Sequence, residues 1–468
     1  MSLNDFVFMP IRQLSQMVRN REVSSVELVN GFIDRLDRIG SEFNAVVKVT
    51  AERALVEARC ADEEIARGYY RGPLHGIPYG VKDLLATNNI PTTWGATTFR
   101  NQVFDYDATV IRNLLESGAV LVTKLAMVEL AGGMGYESAD SSFTGPGLNP
   151  WDKRRWSGGS SSGSGASIAA GLVPFAIGSE TWGSILIPAS FCGISGFRPT
   201  YGRVSRYGAM SLSWTLDKLG PLCLNADDCG LVLDAISGPD PRDGSAANRF
   251  YRYDGPRTRS SRIKLAVPKN SVTGYDEDTQ TNFEVALDVL KSIADIEEIE
   301  LPDYPYEAAV TTIINAESSS AFEDFVDEGK PSELADRSDR FGPYARKAVL
   351  ATEYLKAMRL RPTIARDIDE LLVPYDAMVA PTSGEAPSTE VVFDRVGRGR
   401  RGLGAPVSAI GNLVGLPAIT VPNGFTRNGL PTGIQFMGRA YDENPVLFVA
   451  SEYQALTNWH NLHPEVPA

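Results

Sequence analysis

A glycine- and serine-rich segment, residues 158–164, places the strongest constraint on how this chain folds. Taken alone, a sequence such as GGSSSGS is most often a flexible linker. Here two apolar segments, residues 166–170 and 173–177, follow it directly, which a linker would lack. Glycines allow turns that other residues cannot adopt, and serines bring several hydroxyls into a small volume. The segment therefore suits nucleophilic chemistry.

A nucleophilic serine needs a base, and the sequence favours lysine over histidine in that role. Of the three histidines, His460 and His463 lie near the C-terminal end, and His75 is interpreted as a structural or rim residue. Lys82 follows an apolar segment, residues 73–81, whose prolines and glycines predict a turn that leads into a buried strand. Burial would lower the lysine pKa from about 10.4 and so favour the neutral amine.

Four motifs follow one another between residues 75 and 205: HGIPYGVKD, NPWD, GGSSSGS and GSETWGSILIPASFCGISGFRPTYGRVS. In this order they resemble the amidase signature family of serine hydrolases. Further matching segments lie at residues 375–382, 415–422 and 429–435, so the resemblance spans nearly the whole chain. A lone lysine is usually a solvated surface charge, and the company of both serine motifs is what makes a buried base the better interpretation of Lys82.

The resemblance implies a triad of two serines and a lysine. Ser184 is then the nucleophile, Ser160 relays its proton and Lys82 is the base, because a serine hydroxyl needs a base to become a good nucleophile. The peptide bond between Gly159 and Ser160 is expected to be cis. The backbone N–H groups expected to form the oxyanion hole belong to Thr181, Trp182, Gly183 and Ser184. The substrate is expected to contact Trp182, Gly133 and Met134, and neither a metal nor a cofactor is implied.

Three residues depart from the family's usual DTGGSIR. Glu180 is a longer acid than the aspartate and is expected still to hydrogen-bond the loop. Trp182 replaces a glycine; a positive φ there would cost about 1–2 kcal/mol, so either its φ is ordinary or the loop differs. Leu186 replaces an arginine and so removes a fixed charge. Because the triad is complete, we interpret these changes as an altered pocket and not as loss of activity.

The alternation of helical and strand patterns predicts α/β layers, and the resemblance implies a mixed β-sheet core sandwiched by α-helices. A capping box at Ser24 predicts a helix that ends at Gly40. Further helices are predicted over residues 108–117, 276–293 and 345–372, and strands over residues 119–122 and 263–267.

One domain is expected to span residues 1–468. Its expected parts are an N-terminal helical region (1–60), a catalytic signature core (70–235), a more variable helical region (263–375) and C-terminal core strands with a helix (376–468). Within the last part, Arg395–Gly404 is predicted to be a basic, glycine-rich loop.

Composition sets further bounds. The net charge of −13 disfavours binding to nucleic acid or to an anionic membrane. The four cysteines show no CxxC spacing and are expected to be reduced and buried. No secretory leader and no run of 18 apolar residues is evident, so we expect a soluble, cytoplasmic protein. We also expect a small-molecule substrate and a protein that is a monomer or a homodimer.

These observations favour a cofactor-free serine amidohydrolase that cleaves the C–N bond of a small-molecule amide, aryl amide or carbamate (urethane) through an acyl-enzyme. The alternative is the glutaminase subunit of a tRNA-dependent amidotransferase, which would work only with partner subunits and an ammonia channel. The loss of the arginine at Leu186 favours the stand-alone enzyme. A catalytically inactive binding scaffold is a third hypothesis, which the complete triad makes the weakest of the three.

Overall fold

The computed structural model describes residues 6–135, 138–139, 144–255, 261–337, 339–346, 348–390 and 406–466. The predicted loop Arg395–Gly404 lies outside the described residues. The strands of the described chain are β1 (Val46–Val49), β2 (Pro78–Lys82), β3 (Val120–Leu125), β4 (Leu148–Asn149), β5 (Asp152–Trp156), β6 (Phe175–Glu180), β7 (Ser195–Arg198), β8 (Lys218–Cys223), β9 (Ile263–Pro268), β10 (Ala294–Ile299), β11 (Ala377–Ser383), β12 (Ala418–Phe425) and β13 (Pro431–Met437).

The helices of the same residues, apart from short 3₁₀ turns, connect these strands. They are α1 (Ile11–Arg19), α2 (Ser25–Ile39), α3 (Ala51–Ala66), α4 (Thr109–Glu116), α5 (Ser162–Ala169), α6 (Leu186–Cys192), α7 (Ala226–Ile236), α8 (Glu277–Leu290), α9 (Tyr306–Ala321), α10 (Glu323–Asp327), α11 (Gly342–Arg346), α12 (Ala351–Leu372), α13 (Val407–Val414) and α14 (Glu443–Leu456).

Eleven of the strands form one sheet in the order β1-β3-β2-β6-β8-β7-β12-β13-β11-β9-β10, and β4 pairs with β5 in a separate hairpin. β2 is parallel to both of its neighbours, β3 and β6, whereas β6 and β8 are antiparallel. At the other end, β9 is parallel to β10 and β11. Parallel strands are normally covered on both faces, and every residue of β2 is buried. The expected mixed α/β sheet is confirmed.

Apolar side chains cover both faces of the sheet because successive residues of a strand point to opposite sides. In β3, Leu121 belongs to one apolar cluster, and Val120 and Val122 belong to the other. The same division separates Ile177 from Ala176 in β6. Helices α1, α4, α7, α8 and α14 contribute to the first cluster, and α5, α6, α9, α12 and α13 to the second. The sheet is therefore sandwiched between two helical layers.

Most of the local predictions agree with these elements. The capping box is present, because the Ser24 side chain accepts from the Glu27 N–H and the Glu27 carboxylate accepts from the Ser24 N–H. The helix that it begins, α2, ends just before Gly40. The helix predicted over residues 345–372 is wrong at its start: α12 begins only at Ala351, after an extended Leu350. No glycine or proline marks that break in the sequence.

The glycine-rich loop lies directly against the start of α6. Gly158 has a positive φ of 86°, and a β-carbon placed on it would stand 2.6 Å from Pro188 Cα and 2.9 Å from Pro188 N. Both neighbouring atoms are backbone, which cannot move aside cheaply. Gly158 therefore allows the loop that carries Ser160 to reach the segment that follows Ser184.

Two glycines allow this close approach to be tested. Gly68 has a similar φ of 83°, but a β-carbon on it would meet nothing within 4 Å. Gly68→Ala and Gly158→Ala should share a backbone cost of about 1–2 kcal/mol. Gly158→Ala should lose about 1–3 kcal/mol more through overpacking. Urea denaturation of both variants measures the difference, and equal free energies of unfolding would contradict the packing described here.

Candidate active site

Lys82, the last residue of β2, carries a fully buried amine at the centre of the site. Its Nζ donates to Ser160 Oγ at 2.6 Å and to Ser179 Oγ at 2.9 Å. Burial lowers the pKa of Lys82 to about 7, although Asp217 and Glu180 act in the opposite direction. The amine is therefore largely neutral at mildly alkaline pH, which is the state in which it can accept a proton.

Ser160 lies in the loop before α5, within reach of this amine. The peptide bond between Gly159 and Ser160 is cis, in agreement with the expectation. The Ser160 carbonyl accepts a hydrogen bond from Val128 N at 3.1 Å. The structure therefore brings two of the three predicted triad residues, Lys82 and Ser160, into direct hydrogen-bond contact.

Ser184 lies in the turn that connects β6 to α6, and its side chain is largely buried. Two glycines, one within the serine-rich segment and one just after it, approach the helix that follows: a β-carbon on Gly158 or on Gly165 would meet Pro188 within 3.0 Å. The turn with Ser184 and the loop with Ser160 are therefore packed side by side. The roles of Ser184 as nucleophile and of Ser160 as relay stay predictions that this arrangement supports.

The turn also answers the question raised by Trp182. Gly183, and not Trp182, takes the positive φ, at 88°. Trp182 is absent from the residues with a left-handed backbone, so its φ is ordinary and carries no left-handed strain. A large side chain is therefore compatible with this turn although the family usually has glycine here.

Glu180 holds the same turn from the end of β6. Its carboxylate accepts from Ile185 N at 2.8 Å and from Leu186 N at 3.0 Å, as expected for the family's acid at this position. Its other oxygen accepts from Arg198 Nη1 at 2.9 Å, in an ion pair with no exposed surface. Burial alone would raise the pKa of Glu180, but the charge of Arg198 outweighs it and lowers that pKa to about 2. The carboxylate is ionised and fixed.

Leu186, which stands where the family usually has arginine, is buried among apolar residues. The Leu186 side chain belongs to the apolar cluster around α6, so it contributes packing and not charge. The positive charge beside Glu180 comes from Arg198 in β7, whose Nε also donates to Leu416 O at 3.0 Å. Position 186 therefore carries no charge, and Glu180 is paired with Arg198 instead.

Sequence reasoning missed two polar residues that lie beside the amine or the turn. Ser179 lies in the fourth motif, but no role was expected for it; it follows Ile177 by two positions in β6 and therefore faces the same side. Asp217 has no such local signal. Its Oδ1 accepts from Thr181 Oγ1 at 2.6 Å, and its Oδ2 accepts from Leu212 N and Ser213 N. Asp217 thereby fixes the first residue of the predicted oxyanion turn.

A cavity of about 250 Å³ opens beside these groups. Ser179, Thr181 and Asp217 line its polar side, and Met210 and Leu219 are among its apolar walls. Its volume suits a small polar substrate or the side chain of a larger one. The cavity therefore adjoins both the hydroxyl bonded to Lys82 and the turn that leads to Ser184.

The three residues predicted to contact substrate lie around this cavity and do not line it. The Trp182 indole belongs to the apolar cluster that also contains Leu216. Gly133 packs on Leu212, a residue of the cavity wall, and Met134 is buried in the same apolar cluster as Leu212. A direct part for these residues in substrate binding stays a prediction.

The histidines and cysteines of the described chain have structural or surface positions. His75 is buried, accepts from Arg71 N and lies 3.1 Å from Glu64, as a structural residue would. His463 stacks on Phe8. Three cysteines are buried, but Cys60 is exposed on α3, so the expectation of buried thiols is wrong for that residue. No cluster suited to a metal ion occurs among the described residues.

Across the described ranges, no helix combines the length and apolar character needed to cross a bilayer.

Comparison with known proteins agrees with this geometry. The sequence matches the amidase family over residues 27–447. It is 36% identical to the A-subunit of glutamyl-tRNA(Gln) amidotransferase from Moorella thermoacetica, over 99% of both chains. The corresponding protein of Chloroflexus aggregans is also 36% identical, over 95% of this chain and 96% of the relative. The chain therefore belongs to the amidase family, and it is an enzyme that acts on C–N bonds.

Solved structures share the whole fold. The A-subunit of glutamyl-tRNA(Gln) amidotransferase from Thermotoga maritima superposes with a TM-score of 0.79 and 29% identity, over 100% of this chain and 98% of the other. The peptide amidase of Stenotrophomonas maltophilia gives a TM-score of 0.84 and 27% identity, over 96% and 97%. The fold is thus common to an amidotransferase subunit and to a peptide amidase.

The expectation of a stand-alone hydrolase of a small amide, aryl amide or carbamate is wrong. The relatives at 36% identity over nearly the whole chain are amidotransferase subunits. The loss of the arginine at Leu186 favoured that expectation, but a single substitution does not outweigh identity over nearly the whole chain. That substitution is therefore a poor guide to the reaction.

The expected partners are wrong for a related reason. A monomer or homodimer without nucleic acid does not agree with relatives that are named as subunits and that act on glutamyl-tRNA(Gln). The net charge of −13 describes one chain as a whole. It says nothing about surfaces that other chains contribute to an assembly.

A fluorophosphonate reagent tests the nucleophile without knowledge of the substrate, because it reacts with activated serines. Ser184→Ala should reduce labelling at least about 100-fold, since unactivated hydroxyls react slowly. Ser164→Ala, which changes another buried serine of the segment, is the matched control and should label normally. Mass spectrometry of the digested protein locates the label. Labelling that survives in Ser184→Ala would contradict the assignment.

The pH dependence of labelling tests the base. Because the Lys82 pKa is about 7 and only the neutral amine accepts a proton, the rate should rise with pH to a plateau, with a midpoint near 7. Lys82→Arg should be inactive, since guanidinium stays protonated. Ser179→Ala removes a hydroxyl that accepts from the amine, so it should move the midpoint to lower pH.

Ser161→Ala is the control for that shift. Ser161 hydrogen-bonds the backbone of Ser179, and the described contacts of the Lys82 amine do not include it. The midpoint of the labelling rate of Ser161→Ala should therefore stay near pH 7. A midpoint near 10 in the parent enzyme, or a Lys82→Arg variant with a tenth of the parent rate, would show that another group is the base.

Proposed function

We propose that this chain is the glutaminase subunit of an amidotransferase that acts on glutamyl-tRNA(Gln). The observation that carries the proposal is the similarity to the A-subunit of the Moorella thermoacetica enzyme, at 36% identity over 99% of both chains. Similarity confined to the triad would fit any amidase. The fold alone is shared with a peptide amidase, so the proposal depends on the sequence identity to the amidotransferase subunit and not on the fold.

In the proposed reaction, the neutral Lys82 amine accepts a proton from Ser160 while Ser160 accepts the proton of Ser184. Ser184 Oγ then attacks the side-chain amide carbon of glutamine. The contact of 2.6 Å between Lys82 Nζ and Ser160 Oγ supplies the first part of this relay. A general base of this kind typically contributes about 10²–10⁴-fold to the rate.

The backbone N–H groups of the turn between Thr181 and Ser184 stabilise the oxyanion that forms in this step. A backbone donor needs no particular side chain, so Trp182 can serve where the family usually has glycine. Removal of one such donor typically costs about 100–1000-fold in rate. Glu180 supports the turn from behind, because its ionised carboxylate holds the N–H groups of Ile185 and Leu186.

Collapse of the tetrahedral intermediate breaks the C–N bond. The proton held by Lys82 returns through Ser160 to the leaving nitrogen, and ammonia departs. Water then attacks the acyl-enzyme by the same proton route, which releases glutamate and restores Ser184. In an amidotransferase, a nucleoside triphosphate would first convert a side-chain carboxylate oxygen of glutamyl-tRNA(Gln) to a phosphate leaving group, with the aid of partner subunits. The ammonia then attacks that carbon, and phosphate departs as the amide forms.

The net charge of the chain fits a subunit that relies on partner chains to hold the tRNA. A net charge of −13 is unfavourable for phosphate contacts, which depend on lysine and arginine. We therefore assign tRNA binding to the partner chains and the glutaminase reaction to this chain. A cytoplasmic location follows from the tRNA substrate.

Purification with and without partners tests this function. The chain expressed from its native locus with an affinity tag should copurify with further subunits. The assembly should release ammonia from glutamine and, when a nucleoside triphosphate is supplied, convert glutamyl-tRNA(Gln) to glutaminyl-tRNA(Gln). The purified single chain should be nearly inactive. In the assembly, Ser184→Ala should abolish transfer from glutamine but retain transfer from ammonium chloride, which bypasses this site.

Ser164→Ala is again the matched control and should retain both reactions. Two results would contradict the proposal. One is hydrolysis of a 4-nitroanilide by the single chain without partners, at a rate typical of enzymes. The other is an assembly whose Ser184→Ala variant still transfers nitrogen from glutamine.

A further inference from the structure

Lys218 is a second buried lysine beside the turn, and the proposed reaction leaves it without a role. It begins β8 directly opposite Glu180 of β6 in their antiparallel pairing. Its side chain is almost fully buried. Its Nζ donates to Asn412 Oδ1 at 2.9 Å and to the Thr181 carbonyl at 3.4 Å. The amine therefore connects α13 to the backbone of the oxyanion turn.

The Thr181 carbonyl shares one peptide unit with the N–H of Trp182. In a planar trans peptide the C=O and the N–H point in opposite directions. Among the described residues, the cis bond is the one between Gly159 and Ser160, so the unit from Thr181 to Trp182 is trans. A donor that holds the carbonyl on one side therefore fixes the direction of the N–H on the other.

Asp217, the residue before Lys218, holds Thr181 at a second point. Asp217 Oδ1 accepts from Thr181 Oγ1 at 2.6 Å, so consecutive residues hold the side chain and the carbonyl of the same threonine. The other end of the connection is also fixed, because Asn412 Nδ2 donates to Ser408 O at 2.9 Å within α13. These contacts leave the peptide unit little freedom to rotate.

We propose that Lys218 is a positioning residue, which holds the Thr181 carbonyl so that the backbone N–H of Trp182 faces the oxyanion formed when Ser184 attacks. This rests on the proposed function, because it presumes that an oxyanion forms at this turn. Lys218 does not touch the reacting atoms. It acts through the peptide unit alone.

The proposed role does not need a charged lysine. Burial, assisted by Arg198, lowers the pKa of Lys218 well below its usual value, although Glu180 and Asp217 act against this. A neutral amine still donates N–H bonds. Loss of Lys218 should therefore lower the rate by the same factor at every pH. Lys82, in contrast, determines how the rate changes with pH, with a midpoint near pH 7.

Lys218→Met removes the N–H donor but keeps a side chain of nearly the same length. Lys218→Gln provides N–H donors from an amide in place of the amine. We expect Lys218→Met to lower kcat about 10- to 100-fold, since loss of an oxyanion donor costs about 100- to 1000-fold and a misdirected one costs less. KM for glutamine should change less than about threefold, because the ground-state amide is not the group being stabilised. Lys218→Gln should recover most of kcat.

Two further readouts separate this role from a merely structural one. A glutamine analogue with an aldehyde in place of the carboxamide forms a tetrahedral adduct with the nucleophile, and its affinity should fall by the same factor as kcat. The midpoint of the pH–rate profile should stay near 7 in Lys218→Met. Assays use the assembled enzyme, and fluorophosphonate labelling of the single chain provides the same comparison without glutamine.

Asn412→Ser provides a second variant should Lys218→Met fail to fold, because it removes the anchor and leaves the lysine in place. It should lower kcat and analogue affinity together by a smaller factor. Unchanged kcat and analogue affinity in the folded variants, or a KM that rises in proportion to any loss, would overturn the role of Lys218. Activity that survives in Ser184→Ala would instead overturn the proposed function.

Discussion

Desolvation of the Lys82 amine is the constraint on which the site depends. β2 lies between β3 and β6 in the sheet, so its last residue has strands on both sides and no water to stabilise a charge. The groups that accept from the amine are the hydroxyls of Ser160 and Ser179, which are neutral. Lys124 on the adjacent strand is equally buried but forms an ion pair with Asp83 at 3.2 Å. Similar burial thus produces a candidate base in one case and a structural ion pair in the other.

The fixed charges around the site support the turn and do not react. Glu180 and Arg198 compensate each other in a dry environment, where an unpaired charge would be costly. The carboxylate in turn holds two backbone N–H groups after Ser184, while Asp217 and Lys218 hold Thr181 before it. The turn is therefore fixed on both sides of Ser184 by groups that come from β6, β8 and α13. Such preorganisation is what electrostatic stabilisation of an oxyanion requires.

The sequence could predict what depends on local order and chemistry. Lys82 and the serine-rich segment stand out through their apolar surroundings, and α2 through its capping box. Asp217, Lys218 and Asn412 could not be found in this way, because pairing across the sheet and packing of α13 bring them to Thr181. The same limit explains the errors. Neither the loss of arginine at Leu186 nor the net charge of one chain can show whether the chain works in an assembly.

The central claim is that the Lys82 amine is neutral near physiological pH. Nitrogen-15 NMR of protein labelled at the lysine side chains measures this directly, with Lys82→Arg identifying the resonance. The account predicts a titration midpoint near 7 for Lys82 Nζ. A midpoint near the ordinary lysine value of about 10.4 would contradict it, because a charged amine could not accept the proton of Ser184.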